Sequence, residues 1–359
     1  MEIPSEVRKL AIAAVPPIVA IVLAFLLGSI LIFAVGVSPI VAYRSMLDGA
    51  FGNIKSFTEV LVKMYPLLLA GLGISIAFTA GAISVGAEGQ ILMGGLATAF
   101  VGTYLGFLPA PLLIPISIMA GFLAGAVWGI IPGYLFAKKG LSVVINTIML
   151  NYIAHYLVNF FINGPFKEPG GYYPQSPRIS ENAYWPSIIP GTRLHIGIFV
   201  ALVAVICVYI LMKHTPLGVK ISSVGVNQKA SRYMGIKVEK MIIIALAFSG
   251  GLAGIAGAGE IAGIHHRVLS GFSSNYGWDA IAVALLGKLH PFGIVLSALF
   301  WAALRVGANN MQRVTQIPVS LVVTIQALTI FFVLISEMWQ HKGKLASVTH
   351  TFLKRKSIS

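Results

Sequence analysis

Apolar runs of about 20 residues, parted by short polar or basic segments, fill most of this 359-residue chain. A helix needs about 20 apolar residues to cross a bilayer, and the bilayer offers no water to satisfy an open backbone. The runs therefore predict membrane-spanning helices. Crossings are expected at about 10–35, 59–80, 89–108, 111–137, 142–162, 195–213 and 241–264, at two shorter runs near 278–289 and 292–308, and at about 318–338. The expected fold is all-α, a polytopic membrane protein of about ten transmembrane helices. It is expected to form one domain over residues 1–359, with its membrane region at 10–338. The run near 278–289 is short for a full crossing and suits a half-helix. The run from Leu10 to Val35 is longer than the apolar stretch of a cleavable signal and reads as a retained first helix.

The apolar pattern breaks at Gly81-Ala82-Ile83-Ser84-Val85-Gly86-Ala87-Glu88-Gly89-Gln90. An ionisable residue at membrane depth is costly and marks a site or a pathway by default. Glycines beside it suggest a broken helix near Glu88, tolerable only where the backbone faces protein or a cavity. The plainer alternative is a helix-to-helix corner with Glu88 at the water interface. A weak echo, from Gly271 to Asp279, lies in the second half.

Composition agrees with the pattern: 57% of residues are hydrophobic, 10% are charged and the mean hydropathy is +0.88. Soluble domains carry about 25% charged residues. The net charge of +14 would suit nucleic acid, but the basic residues sit between and beyond the apolar runs. Arg8 and Lys9, Lys138 and Lys139, segment 214–240 and the basic tail at 340–359 fall on one side if there are ten crossings. The positive-inside rule makes that side cytoplasmic, with both termini there and no nucleic-acid partner. Segment 163–194, rich in Pro, Gly, Tyr and Ser, becomes an external loop. The single cysteine, Cys207, allows no intrachain disulfide. No hydrolase elbow, P-loop or metal-ligand cluster appears, so neither catalysis nor a metal or cofactor is expected of this chain.

Segment 214–240 is the second feature with content. Pro216 and Gly218 interrupt the preceding helix. Asn227 suits the N-cap, and Gly235 the C-terminal cap, of a short helix carrying Ala230, Arg232, Tyr233 and Met234. An exposed Tyr and Met fit a partner's groove. A basic loop lying on anionic lipid fits the composition equally well.

Gly86-Ala87-Glu88-Gly89-Gln90, Asn146-Thr147-Ile148-Met149-Leu150-Asn151-Tyr152-Ile153, Gly225 to Val238, Gly254 to Glu260, Asp279 to Gly287 and Gly293 to Gln312 occur in this order. Together they resemble the ABC importer permeases of the simple-sugar and nucleoside branch, most of all the longer of two paralogous permeases in nucleoside uptake systems. The Ala82-Ile83-Ser84-Val85 lead-in departs from the Asn-Ile pair more usual in that branch.

The resemblance implies a prokaryotic multi-pass membrane subunit that forms a pathway for a nucleoside or related simple sugar. It implies a substrate-binding lipoprotein outside, a second homologous permease in a heterodimer, and a cytoplasmic ABC ATPase, often with tandem cassettes, that uses the ATP. The coupling helix would be Asn227 to Gly235, with Ala230, Arg232, Tyr233 and Met234 seated on the ATPase. The pathway residues expected are Glu88, Gln90, Asn146, Asn151, Glu260, Asp279 and Gln326, whose amides and carboxylates suit hydroxyls and base edges. Trp278, Tyr152 and Phe78 would stack on a ring. Buried amides also bond helix to helix, and small residues such as Gly254, Gly257 and Gly259 allow close helix packing, so both groups have a structural alternative. Two other readings stay open: an ion-gradient-driven secondary transporter, and a permease of the same group for branched-chain amino acids or simple sugars.

Overall fold

A computed structural model describes residues 5–318, 320–332 and 335, with side chains from residue 19 onward apart from residue 20. Every regular element among them is helical. In order they are α1 (Ser5–Ala34), α2 (Pro39–Phe51), α3 (Ile54–Thr79), α4 (Ala87–Tyr104), α5 (Ala110–Lys139), α6 (Val143–Asn163), α7 (Gly197–His214), α8 (Pro216–Val226), α9 (Gln228–Tyr233) and α10 (Val238–Gly259). A π turn (Glu260–His265) continues α10, and α11 (Tyr276–Leu286), α12 (Pro291–Thr315) and α13 (Ser320–Phe332) follow.

Six of these are long and apolar enough to cross a bilayer: α3, α5, α6, α7, α10 with its π turn, and α12. The pair α1 and α2, bent by 117°, makes a seventh if counted as one span. The chain is a polytopic all-α membrane protein. Helix α4 lies where a crossing was expected but falls outside that set, and α11 and α13 are short apolar helices. Helices α2 and α8 were not anticipated. The basic tail at 340–359 lies outside the described residues.

The helices fall into two compact units. One comprises residues up to 49 and from 304 onward. Within it, Tyr43 on α2 donates its hydroxyl to the Phe25 carbonyl of α1 at 2.7 Å, and Asn310 Nδ2 on α12 donates to the Ser45 carbonyl at 2.7 Å. These bonds pair the Tyr43 and Asn310 side chains within the unit instead of leaving them open to lipid. Gln326 on α13 is buried in this unit.

The other unit, residues 50–303, is built around α3 and α10. The apolar windows of these two are 89% and 72% buried, against 28–33% for α5, α6 and α7, so the latter present their outer faces to lipid. With lipid as solvent, apolar contact alone gives little drive to associate, and packing must come from close backbone approach. Glycines provide it. A Cβ on Gly254 would lie 2.1 Å from the Gly121 carbonyl oxygen, one on Gly250 2.2 Å from that of Gly125, and one on Gly94 2.4 Å from the Gly254 Cα. Thus α4, α5 and α10 meet backbone to backbone. The small-residue stretch around Gly254 has the close-packing role weighed for it from sequence.

Candidate functional site

Helix α3 is stopped by a C-terminal cap. Gly81 takes φ +75°, the Ala82 N–H donates to the Ala77 carbonyl at 3.0 Å, and the Gly81 N–H donates to Phe78 at 2.9 Å. A residue with a Cβ is strained at that φ, which is why glycine ends the helix here. Residues 80–86 are non-helical, and α4 begins at Ala87. The broken segment read from the sequence is present.

What holds the break is a set of side chains from other elements. Asn151 on α6 accepts from the Gly89 N–H at 2.9 Å and donates Nδ2 to the Val85 carbonyl at 2.9 Å. Thr147, one turn earlier on α6, accepts from the Val85 N–H at 3.2 Å. The buried Glu88 carboxylate accepts from the Ser273 hydroxyl and, at 2.8 Å, from the Gly277 N–H. Gly277 lies in the first turn of α11, so the carboxylate meets the positive end of that helix as well as that of its own. Glu88 and Asn151 therefore serve the structure directly.

The remaining expected pathway residues divide. Gln90 is buried beside the same break, with Oε1 lacking a protein hydrogen-bond partner, and half-buried Asn146 leaves Nδ2 likewise. Trp128 Nε1 on α5 is another buried atom without a partner, and it would lie 3.1 Å from a Cβ on Gly89. Tyr152 is 56% exposed, since it sits about 100° round α6 from Asn151. Phe78 is half-buried at the end of α3, while Trp278 and Asp279, on the first turn of α11, are partly exposed. Glu260 is distant in sequence. It begins the π turn, at the end of α10 away from α8 and α9, and is 1% exposed. Thr147 and Trp128 were missed; Thr147 lies inside a quoted motif, but hydroxyls bonding across helices leave no spacing signal.

Replacing Asn151 with Leu is expected to strand the Gly89 N–H and the Val85 carbonyl. The cost is about 2–4 kcal/mol for two unsatisfied buried groups. Thermal unfolding of the purified protein in detergent measures it, and an unchanged midpoint would remove Asn151 from this role.

The region at 164–196 folds back on the bundle at the end of α4 opposite the break. Ser180 N donates to the Gly102 carbonyl at 2.9 Å, Ser176 N to Val268 at 3.0 Å, and Trp185 N to Ala262 in the π turn at 3.0 Å. Here Tyr65, Trp185 and His195 pack as a three-ring cluster with centroids 5.2–5.9 Å apart. Burial first, then the nearby His266, lowers the His195 pKa to about 4. Burial also holds His266 below its ordinary value. A folded state that keeps these rings neutral binds fewer protons than the unfolded chain. Stability present above pH 6.5 is therefore lost as pH falls toward 4. For His195 the loss is about 2 kcal/mol at pH 5. The unfolding midpoint should fall between pH 7 and pH 5, and less so in H195Q; equal slopes in both proteins would refute the assignment.

The segment at 215–240 forms α8 and α9. The Thr215 hydroxyl caps α8 at the Gly218 N–H (3.2 Å), and Asn227 Oδ1 caps α9 at the Ala230 N–H (3.0 Å). Gly235, at φ +79°, closes α9, with the Ile236 N–H donating to the Ser231 carbonyl at 3.0 Å. The short helix stands as the sequence predicted, six residues long. Arg232 pairs with Glu239 on the surface. Tyr233 is 93% exposed, Met234 and Val226 are also exposed, and a groove of about 490 Å³ beside them is lined by Met212, Val219, Val226, Ala230 and Met234. Behind this surface, Gly225 of α8 lies directly on the break: a Cβ there would fall 1.9 Å from the Thr79 carbonyl oxygen.

An exposed Tyr and Met thus stand on the short capped helix α9, beside α8, which meets the broken membrane helix. Residues 56–334 match the family described as branched-chain amino acid transport system / permease component. This chain belongs to that permease family. It is 34% identical to the glucose ABC transporter permease protein TsgB13 of Haloferax volcanii, over 90% of this chain and 88% of that one. It is 35% identical to the guanosine ABC transporter permease protein NupP of Bacillus subtilis, over 88% and 92%. The guanosine ABC transporter permease protein NupQ, also of Bacillus subtilis, is a more distant relative, 26% identical over 67% and 77%. No solved structure matches the permease.

Proposed function

We propose that this permease forms the translocation pathway of an ATP-driven importer for nucleosides or a related simple sugar. The carrying observation is α9: a capped helix with Tyr233 and Met234 exposed, backed by α8 against the end of α3 at the break, residues 80–86. This surface suits a cytoplasmic ABC ATPase, which supplies the hydrolysis. Two guanosine permease relatives in one organism support a heterodimer with a second homologous permease. A substrate-binding lipoprotein would deliver the solute to the opposite face. The chain would cross a prokaryotic cell membrane ten times, counting the α1–α2 pair once, with both termini cytoplasmic. The basic residues of 213–240 support that orientation.

The pathway reading rests on the polar groups that the bundle leaves unsatisfied, Gln90 and Asn146 near the break and Glu260 at the other end. Glu88 and Asn151 hold the broken segment in place beside it. Trp278, Asp279, Tyr152 and Gln326 remain pathway residues in this proposal, with weaker geometric support.

Co-purification of the permease with the products of neighbouring genes, followed by ATPase assays with a nucleoside-loaded binding protein, tests it. A complex whose ATPase is stimulated by that protein is expected. Uptake by the permease alone, driven by a proton or sodium gradient in proteoliposomes, would replace the proposal with secondary transport.

A further inference from the structure

Lys63 is an ammonium at membrane depth that no part of the reading so far employs. It lies about 5 Å from the midpoint of α3, counting 1.5 Å per residue, and so inside a hydrocarbon layer about 30 Å thick. A charge there is costly unless it faces the bundle interior or a water-filled cavity, and it then marks a pathway.

The packing of α3 fixes which way Lys63 projects. A Cβ on Gly73 would lie 2.5 Å from the Ser249 carbonyl oxygen of α10, and one on Gly71 3.3 Å from Val283 Cγ1 of α11. Helical geometry puts Lys63 about 80° from each of these glycines, between them. It therefore points between α10 and α11. Ala70 and Ile74, two and three turns along the same face, are fully buried, so this face is not lipid-facing. Lys63 itself is half-buried. Its Nζ lies 5.6 Å from the centre of the buried Tyr276 ring, in the first turn of α11. The next residue, Gly277, holds the Glu88 carboxylate at 2.8 Å. Just before α11, Ser274 and Asn275 are exposed and non-helical, at φ +48° and +63°. Non-helical backbone at this depth is tolerated where it is buried in protein or lines a cavity, and exposure leaves the cavity. One turn toward the start of α3, Glu59 pairs with Arg193 at 2.6 Å, so a charged stripe leads from the helix end to Lys63.

We propose that Lys63 lines the solute pathway at the start of α11 and donates hydrogen bonds to the oxygens of an uncharged solute. The inference deepens the importer reading and rests on it. The carboxylates expected along the pathway can only accept, whereas an ammonium carries three N–H donors and no acceptor. A hydroxylated solute brings lone pairs as well as protons, and Lys63 answers the lone pairs. The glucose and guanosine named for the relatives are rich in such oxygens.

The test exploits the single cysteine, Cys207. In a C207S background, K63C is placed in the intact importer with its binding protein unchanged. Uptake of uridine and of glucose should fall about tenfold against the C207S parent, the loss expected for one hydrogen bond to a charged group. Aminoethyl methanethiosulfonate, which rebuilds an ammonium of similar reach, should restore most of it, and the neutral methyl reagent should not. A lysine that merely braces the helices could be restored in the same way. Shielding separates the two roles: the thiol should react several-fold more slowly with loaded binding protein and ATP than with empty binding protein and ATP. A thiol that does not react, or reacts equally fast in both, would overturn the assignment while leaving the importer standing. Should K63C not fold, K63Q and K63R carry the test at matched membrane abundance. The first should lose uptake and the second keep it, and equal uptake by both would overturn the assignment. A C207S parent that moves neither uridine nor glucose would overturn the importer reading itself.

Discussion

Replacing Tyr233 and Met234 together with Asp is expected to abolish solute uptake while the permease stays folded in the membrane. Both side chains are exposed at the end of α9, and neither belongs to the bundle core. Their loss therefore costs the fold little. At a partner's surface the sum is different. Aromatic anchors near the centre of an interface account for about 2 kcal/mol or more each, which corresponds to about a thirtyfold change in association. A buried aspartate adds the penalty of an unpaired charge. Uptake should fall at least thirtyfold, and the ATPase should lose its response to loaded binding protein while keeping its basal rate. A second variant separates docking from transmission. In G225V the α9 surface is intact, but the new side chain collides with the Thr79 carbonyl. The ATPase should still bind, and uptake should still fail. Normal uptake by the double-aspartate variant would show that α9 is not the docking element.

The second large effect lies in the scaffold. G254V should leave little folded protein. At Gly254 three helices meet, and a Cβ would sit 2.1 Å from one backbone oxygen and 3.1 Å from the Gly125 Cα. Flexible side chains yield to an intruder; backbone does not, so α5 and α10 must separate along their length. Overpacking costs about 1–3 kcal/mol where neighbours can adjust, and more where they cannot. G254A should already lower the unfolding midpoint, and G254V should elute as aggregate in fluorescence-detected size exclusion. L123A, on the lipid-facing side of α5, is the control and should behave as wild type. A monodisperse G254V would mean that the glycine contacts are not what holds these helices together.

Much of this was legible because bilayer chemistry simplifies the code. The long apolar runs that became α3, α5, α6, α7 and α10 had one possible meaning, and their ends fell within a few residues. The cap residues Asn227 and Gly235 were readable because their conformations suit few residue types. Helices α2 and α8 were not legible: one carries Arg44 and Asp48 within 13 residues, the other is 11 residues long, and neither has a spanning pattern. Glu88 was recognised as exceptional, but its partners, Ser273 and Gly277, lie about 190 positions away, and no local pattern predicts such a bond. His195 and Trp185 escaped notice for a related reason. Trp185 lies in a loop that reads as a polar connector and His195 at the first position of an expected crossing, and the inward fold of this region is set by bonds to Ala262 and Val268 rather than by its own composition.

In the proposed importer, the contact of Gly225 with the end of α3 bears on how tightly hydrolysis and transport are locked together. The contact is backbone against backbone, so no change of rotamer absorbs a displacement. Movement of α8 must pass to residues 79–81, the capped end of α3, and on into the non-helical residues up to 86. Such a linkage leaves little room for strokes of the ATPase that move no solute. Slippage should therefore respond to the size of residue 225 more than to the affinity of the partner, and a permease with a bulkier residue there would waste ATP rather than merely work slowly.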